Sequence, residues 1–210
     1  MPLQQNPRPV AGHRSPAFRG GTDEQPATDG TAAQDSTTGI ALLRTAAVLR
    51  ILIAFTFLWA FFDKAFGWGY ATGSGKGWVD GGSPTRGFLS GVSAGPMEST
   101  FHAWAGAAWA DWAFMAGLLG IGVALLTGVA LRPAALAGTA MMTLMWTAEW
   151  PPARHLSDGA PSMSTNPVID YHVLYAAVLV LLAVALAGRT WGLGRAWARL
   201  PLVRENRWLL

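Results

Sequence analysis

The chain contains no cysteine. That excludes disulfides, thiolate metal sites, iron-sulfur clusters held by cysteine and a cysteine nucleophile, so any electron chemistry requires a bound partner or cofactor. Charge is scarce too: Asp, Glu, Lys and Arg make up 13% of 210 residues, against the ~25% usual in soluble domains. Lys64 and Lys76 are the sole lysines, so the net charge of +3 rests on arginine. Nucleic acid is not an expected partner. Hydrophobic residues reach 51%, which makes a membrane protein the first class to test.

Residues 1–38 are rich in Pro, Gly, Thr, Gln and Asp with hardly any large apolar residue, and such a segment does not repay the entropy of ordering. It reads as a disordered tail and not a signal peptide, because the first apolar run begins only at Ile40. Four apolar stretches follow, at 42–62, 112–131, 133–148 and 171–188. Each approaches the ~20 residues that carry a helix across a bilayer, where the backbone must satisfy its own hydrogen bonds. The expected fold is therefore all-α: a polytopic four-transmembrane-helix bundle with spans at about 40–62, 110–131, 133–150 and 169–188, and an interfacial tail at 191–210. Arg132-Pro133 is expected to form the short turn between the second and third spans, with Pro133 in a first helical turn.

Arg44, Arg132, Arg189, Arg195 and Arg199 flank one side of these spans, which by the positive-inside rule puts both termini in the cytoplasm of a multi-pass cell-membrane protein. The opposite face receives the loops 63–110 and 149–170 and eight of the eleven tryptophans, an interfacial belt. In the first of these loops Ser83 and Pro84 read as a helix N-cap and first turn, and Pro96 precedes a second short helix, so the loop is expected to carry short interfacial helices. Ala116, Gly120, Ala124 and Gly128 recur at four-residue spacing in the second span and predict a face for close helix approach. The nearby Gly117-Leu-Leu-Gly120-Ile-Gly122 is no nucleotide fingerprint, since no strand precedes it. The tail from Trp191 to Trp208, with interspersed arginines, reads as an anchor on anionic lipid.

The first span has an uncharged run of only 12 residues, 51–62, about 18 Å of helix. Either Arg50 snorkels to the headgroups beside Arg44, or it enters the bundle interior and meets a partner. At the other end Asp63 and Lys64 close the first helix, Asp111 opens the second, Glu149 closes the third, and Asp170 with His172 opens the fourth. A helix macrodipole accounts for Asp at an N-terminus, but not for Glu149 or Lys64. A shared polar site and separate interfacial residues both remain open. Asp170 and His172, two apart on a helix, are not expected to face each other. His102, His155 and His172 show no recognised ligand spacing, and neither a metal nor a covalent cofactor is expected.

Several segments together resemble the DoxX/DoxD family of four-helix membrane proteins: Arg50, Phe57-Leu-Trp-Ala60 and Asp63-Lys64; Gly81-Gly-Ser-Pro84 and Gly87-Phe-Leu89; Ala110-Asp-Trp112; and Asn166-Pro167 with Asp170 and His172. The resemblance covers about residues 40–205. It implies a membrane subunit of a thiosulfate:quinone oxidoreductase, which oxidises thiosulfate to tetrathionate and passes electrons to quinone; other members act as membrane partners of redox enzymes. On the physical reading, Asp111, Glu149, Asp170 and His172 are the expected proton-relay residues. Arg50, Trp59, Asp63, Lys64, Arg86, Trp112 and Trp146 are the expected ligand-binding residues, with Phe62 and Met145 completing an apolar wall for a quinone. Carboxylates outnumber cations at that face and oppose a dianion such as thiosulfate. The alternative is a non-catalytic anchor for a redox partner protein, and either function admits a homo-oligomer.

Overall fold

In a computed structural model of the chain, residues 27–210 are described, with side chains from Thr37 onward. Most of the expected tail lies outside the described residues, and from Ala27 the backbone is helical. All described elements are helices; the one strand-like feature is an isolated bridge between His155 and Pro161. Two helices are long and apolar enough to cross a membrane, at Thr37–Phe66 and Ala108–Thr127.

Helix α1 (Ala27–Phe66) is built in its apolar half from Ala, Leu, Ile and Phe without proline or glycine after Gly39, so no residue breaks it. It runs through Asp63-Lys64 to Phe66, one turn past the expected end. The connection that follows carries two short helices, α2 (Arg86–Ser90) and α3 (Glu98–Trp104). Helices α4 (Ala108–Thr127) and α5 (Leu131–Glu149) form a hairpin, and α6 (Tyr171–Val184) packs along α5. Two small helices, α7 (Gly194–Trp197) and α8 (Pro201–Glu205), complete the chain.

The hairpin turn is at 128–130, not at Arg132-Pro133 as the sequence predicts. Gly128 adopts a left-handed conformation, φ 75°, and its N–H returns to the carbonyls of Ala124 and Leu125, the usual way a glycine ends a helix. Arg132 and Pro133 consequently fall in the first turn of α5, where proline's missing N–H removes no bond. At this same end the backbones of Gly128 and Gly188 touch: a Cβ on Gly188 would stand 1.9 Å from the Gly128 carbonyl oxygen. That contact coincides with the end of regular α6, which passes into a turn of 3-10 helix at Ala187–Arg189.

The core is formed by Ile53, Ala54 and Phe57 of α1, Met115, Leu118, Ile121 and Leu125 of α4, Ala135 and Met142 of α5, and Leu179 and Leu182 of α6. Close approaches are made by Gly122 against Leu58, Gly117 against Met141 and Gly138 against Leu179. Together with the contacts of Arg50 with Leu125 and of Tyr171 with Glu149, these pairings make α1 antiparallel to α4 and α5 antiparallel to its two neighbours. Of the predicted stripe of small residues, Gly128 makes a close contact, with Gly188, whereas the part before it does not. Ala116 is exposed, and a Cβ on Gly120 would meet nothing within 4 Å, because the helix presents the adjacent face, with Gly117 and Gly122, to its neighbours. All four long helices keep large apolar side chains exposed, among them Leu52 and Phe55, Val123 and Leu126, Leu136 and Leu144, and Leu181 and Val184.

Arg50 is fully buried and reaches the end of the bundle where the glycines meet. Its guanidinium donates to the carbonyls of Leu125 and Leu126 at the end of α4, and to those of Thr190 and Trp191 after α6. Leu125 and Leu126 lie in the last turn of α4, the end of a helix at which a cation is favoured. The C-terminal segment lies against the same end: the Arg132 N–H donates to Leu210 O at 2.8 Å, the Leu193 N–H to Thr127 O at 2.7 Å, and Trp197 Nε1 to Leu209 O at 2.7 Å.

Candidate functional site

The opposite end of the bundle holds Asp63, Asp111, Glu149 and Asp170, and each has specific partners. Asp63, 1% exposed in the last turn of α1, accepts the N–H groups of Tyr70, Ala71 and Thr72 at 3.2, 3.0 and 2.8 Å. Three amide donors on one carboxylate fold the segment after α1 back onto the helix. Asp111 opens α4, and its Oδ1 accepts from Ser83 Oγ at 2.9 Å, Thr85 N at 3.0 Å and Thr85 Oγ1 at 2.6 Å. Ser83 Oγ itself accepts the Arg86 N–H at 3.2 Å. Asp63 and Asp111 thus anchor the two ends of the segment that leads to α2.

Glu149, Asp170 and His172 come together where α5 ends and α6 begins. Asp170 is the N-cap of α6, accepting the N–H groups of His172 and Val173 through Oδ1 at 3.0 and 3.2 Å; its Oδ2 accepts His172 Nδ1 at 2.7 Å. The two side chains do meet, against the expectation from helical spacing. Asp170 has extended backbone, φ −123° and ψ −172°, and so stands outside the helix whose geometry would separate them. The imidazole is 1% exposed, and its Nε2 is buried without a hydrogen-bond partner. Beside it, Tyr171 Oη donates to Glu149 Oε1 at 2.6 Å, and the Tyr171 and His172 rings are 4.0 Å apart. One donor atom from each of Glu149, Asp170 and His172 lies within 4.8 Å of the others, a set of the kind that holds a metal, although hydrogen bonds already engage both carboxylates.

A cavity of about 380 Å³ lies on the other side of α5. Its walls are Ala110, Ala113, Phe114 and Gly117 of α4 and Ala137, Ala140, Met141, Leu144, Met145 and Ala148 of α5. Phe88 and Leu89 of α2, and Phe101 and Trp104 of α3, roof it. This volume is within the ~300–1,000 Å³ of small-molecule sites, and the lining is apolar as such sites are. The space exists because both helices present small residues at helical spacing where large ones would meet. The roof is held down by its own small core of Val92, Phe101 and Ala148, with Leu89 and Trp104 packed against it. Lys64 is the cavity's one charged lining residue.

The other expected ligand-binding residues lie apart from this space. Trp59 packs with Phe55, Trp68 and Tyr70, and Phe62 with Phe61, Phe66 and Trp68. Trp112 meets Trp78 edge-on at 4.6 Å, and Trp146 meets Trp150 while donating to Val168 O at 3.0 Å. Arg86 is exposed with its guanidinium against Gly106, and Arg50 sits at the far end of the bundle. Of the expected apolar wall, Met145 alone lines the cavity. The lining that sequence reasoning missed had a signal in it: Ala137, Ala140, Met141, Leu144 and Ala148 repeat with helical spacing on α5. No family model, curated protein or solved structure matches the chain.

Proposed function

We propose that the protein is a multi-pass membrane protein of DoxX/DoxD type, crossing the bilayer four times with both termini cytoplasmic, and that its cavity binds a membrane quinone within a redox complex. The observation that carries this reading is the apolar cavity between α4 and α5, roofed by α2 and α3. Exposed large apolar side chains on α5 and α6 as well as on the two longest helices support four spans, since lipid is the solvent that accepts such faces. The cluster of Arg132, Arg189, Arg195, Arg199, Arg204 and Arg207 at one end supports that end as cytoplasmic. Phe88, Trp109 and Leu144, exposed residues in the cavity wall, suit entry of an apolar ligand from the membrane.

Quinone fits this space better than thiosulfate does. A dianion calls for several converging cations, and Lys64 alone contributes one here. The residues of this chain would bind and orient the quinone ring between apolar walls and keep water from it, and the bound quinone would supply the two-electron chemistry. The Asp170–His172 and Glu149–Tyr171 pairs hold protons close to Ala148, whose side chain lines the cavity. None of these four residues lines the cavity itself, which supports a second reading: a non-catalytic subunit that presents quinone to, or anchors, a redox partner.

Trp104 and Trp109 line the cavity, so ligand entry is expected to quench intrinsic fluorescence. Protein in nanodiscs titrated with decylbenzoquinone should show saturable quenching, and Ala140→Phe, which fills the space from an exposed position, should weaken binding at least tenfold. Equal binding by wild type and Ala140→Phe would remove the cavity as the quinone site.

A further inference from the structure

Lys64 is placed unlike any other cation of the described residues. It is half-buried in the last turns of α1, and it enters the wall of an otherwise apolar cavity. Among the described residues it makes no hydrogen bond and no ion pair within 4 Å; its Nζ lies 5.9 Å from the centroid of the Phe114 ring and within the field of Asp63. The carboxylates that would pair with it are turned elsewhere. Asp63, its neighbour in sequence, accepts the amides of Tyr70, Ala71 and Thr72, and Asp111 is engaged through Oδ1 by Ser83 and Thr85. An ammonium carries three donors and needs acceptors when taken out of water. The aromatic face of Phe114 meets that need only in part.

We infer that Lys64 is the head-group determinant of the cavity: its ammonium donates to an oxygen acceptor at the polar end of an otherwise apolar ligand, either the carbonyl of a quinone or the carboxylate of a long-chain acid. The inference rests on the cavity being a ligand site, as proposed above. The rest of the molecule is arranged consistently with it. From Ala148 down to Ala137 the α5 wall is without charge for about 16 Å at helical rise, room for a ring or chain pointing away from Lys64. Of the other donors in the lining, Thr85 already gives its hydroxyl to Asp111 and Trp104 and Trp109 carry neutral indole N–H groups, so Lys64 is the one charged donor offered to an acceptor here.

The test compares wild type with Lys64→Met, which keeps an apolar stem without charge, and with Lys64→Arg, which keeps the charge. Each is titrated in zwitterionic nanodiscs with decylbenzoquinone, with dodecanoate, and with decylbenzene as a ligand lacking oxygen. Lys64→Met is expected to lose at least tenfold in affinity for one or both oxygen ligands, as removal of a charged hydrogen-bond donor does. It should bind decylbenzene as wild type does, and Lys64→Arg should stay within a few-fold of wild type throughout. Wild-type affinity of Lys64→Met for both oxygen ligands would overturn the inference while leaving the cavity reading intact. An equal loss for decylbenzene would also overturn it, since Lys64 would then be holding the cavity open and not choosing its ligand. If wild type binds dodecanoate through Lys64 but no quinone, the quinone reading fails and the role of Lys64 stands. If it binds none of the three probes, both fall together.

Discussion

Arg50 lies fully buried with carbonyls from the end of α4 and from the segment after α6 around its guanidinium. A planar fork with five donors can bridge four carbonyls, whereas a single ammonium cannot. Arg50→Met is expected to lower stability by about 3 kcal/mol, through several charged hydrogen bonds lost and carbonyls left without partners. Arg50→Lys should recover less than half of that. Thermal melting in detergent measures both, and a melting point for Arg50→Met within a degree of wild type would contradict the assignment. Asp63 calls for a different readout, because its three partners are all backbone amides of one short segment. Asp63→Asn replaces one acceptor oxygen by a donor, so amide exchange at residues 70–72 should quicken at least tenfold. Unchanged protection there would show that the carboxylate does not hold the segment. Acidic residues at the helix ends were visible in the sequence, but their separate duties were not. Those duties depend on donors as distant in sequence as Ser83 and Thr85 are from Asp111, or Tyr171 from Glu149.

Among the elements, the crossing of α4 with the segment after α6 is the tightest contact. Gly188→Ala would drive a Cβ into the Gly128 carbonyl and is expected to cost more than about 2 kcal/mol, the range of overpacking and backbone strain. Gly120→Ala is the matching control. With open space around it, it should be neutral or stabilise by up to about 1 kcal/mol from helix propensity. Equal destabilisation by the two would extend close contact to the rest of the small-residue stripe that the sequence predicts, of which Gly128 alone meets Gly188. The open part of that stripe and the Arg132-Pro133 turn share one cause of failure. Spacing identifies which residues share a helix face and which residues tolerate a turn, but not which face a neighbour takes or which glycine adopts the left-handed conformation. The α5 lining was hidden for a related reason, since alanines at helical spacing look the same whether they admit another helix or leave a cavity.

At the scale of the whole molecule, the helical class and the approximate positions of the long helices were legible in the four apolar runs, because an apolar run of such length with few breakers inside it favours a helix. The placement of the cavity was not, as it depends on a roof folded from residues of low hydrophobicity between α1 and α4. The absence of native cysteine makes topology directly measurable. Single cysteines introduced by Ala160→Cys and Ala196→Cys, both at exposed positions, should be labelled by a membrane-impermeant maleimide from opposite sides: the first in intact cells, the second only after permeabilisation. Labelling of both from one side would contradict four spans with cytoplasmic termini.

The most direct test of the central claim, that the α4–α5 cavity is a quinone site, is mass spectrometry of small molecules extracted from gently purified protein, run in parallel on wild type and Ala140→Phe. Quinone at near one equivalent in wild type, falling at least tenfold in the variant at equal yield and equal melting temperature, is the predicted result. Quinone absent from wild type above the level of a mock preparation, or equally abundant in both proteins, would contradict it.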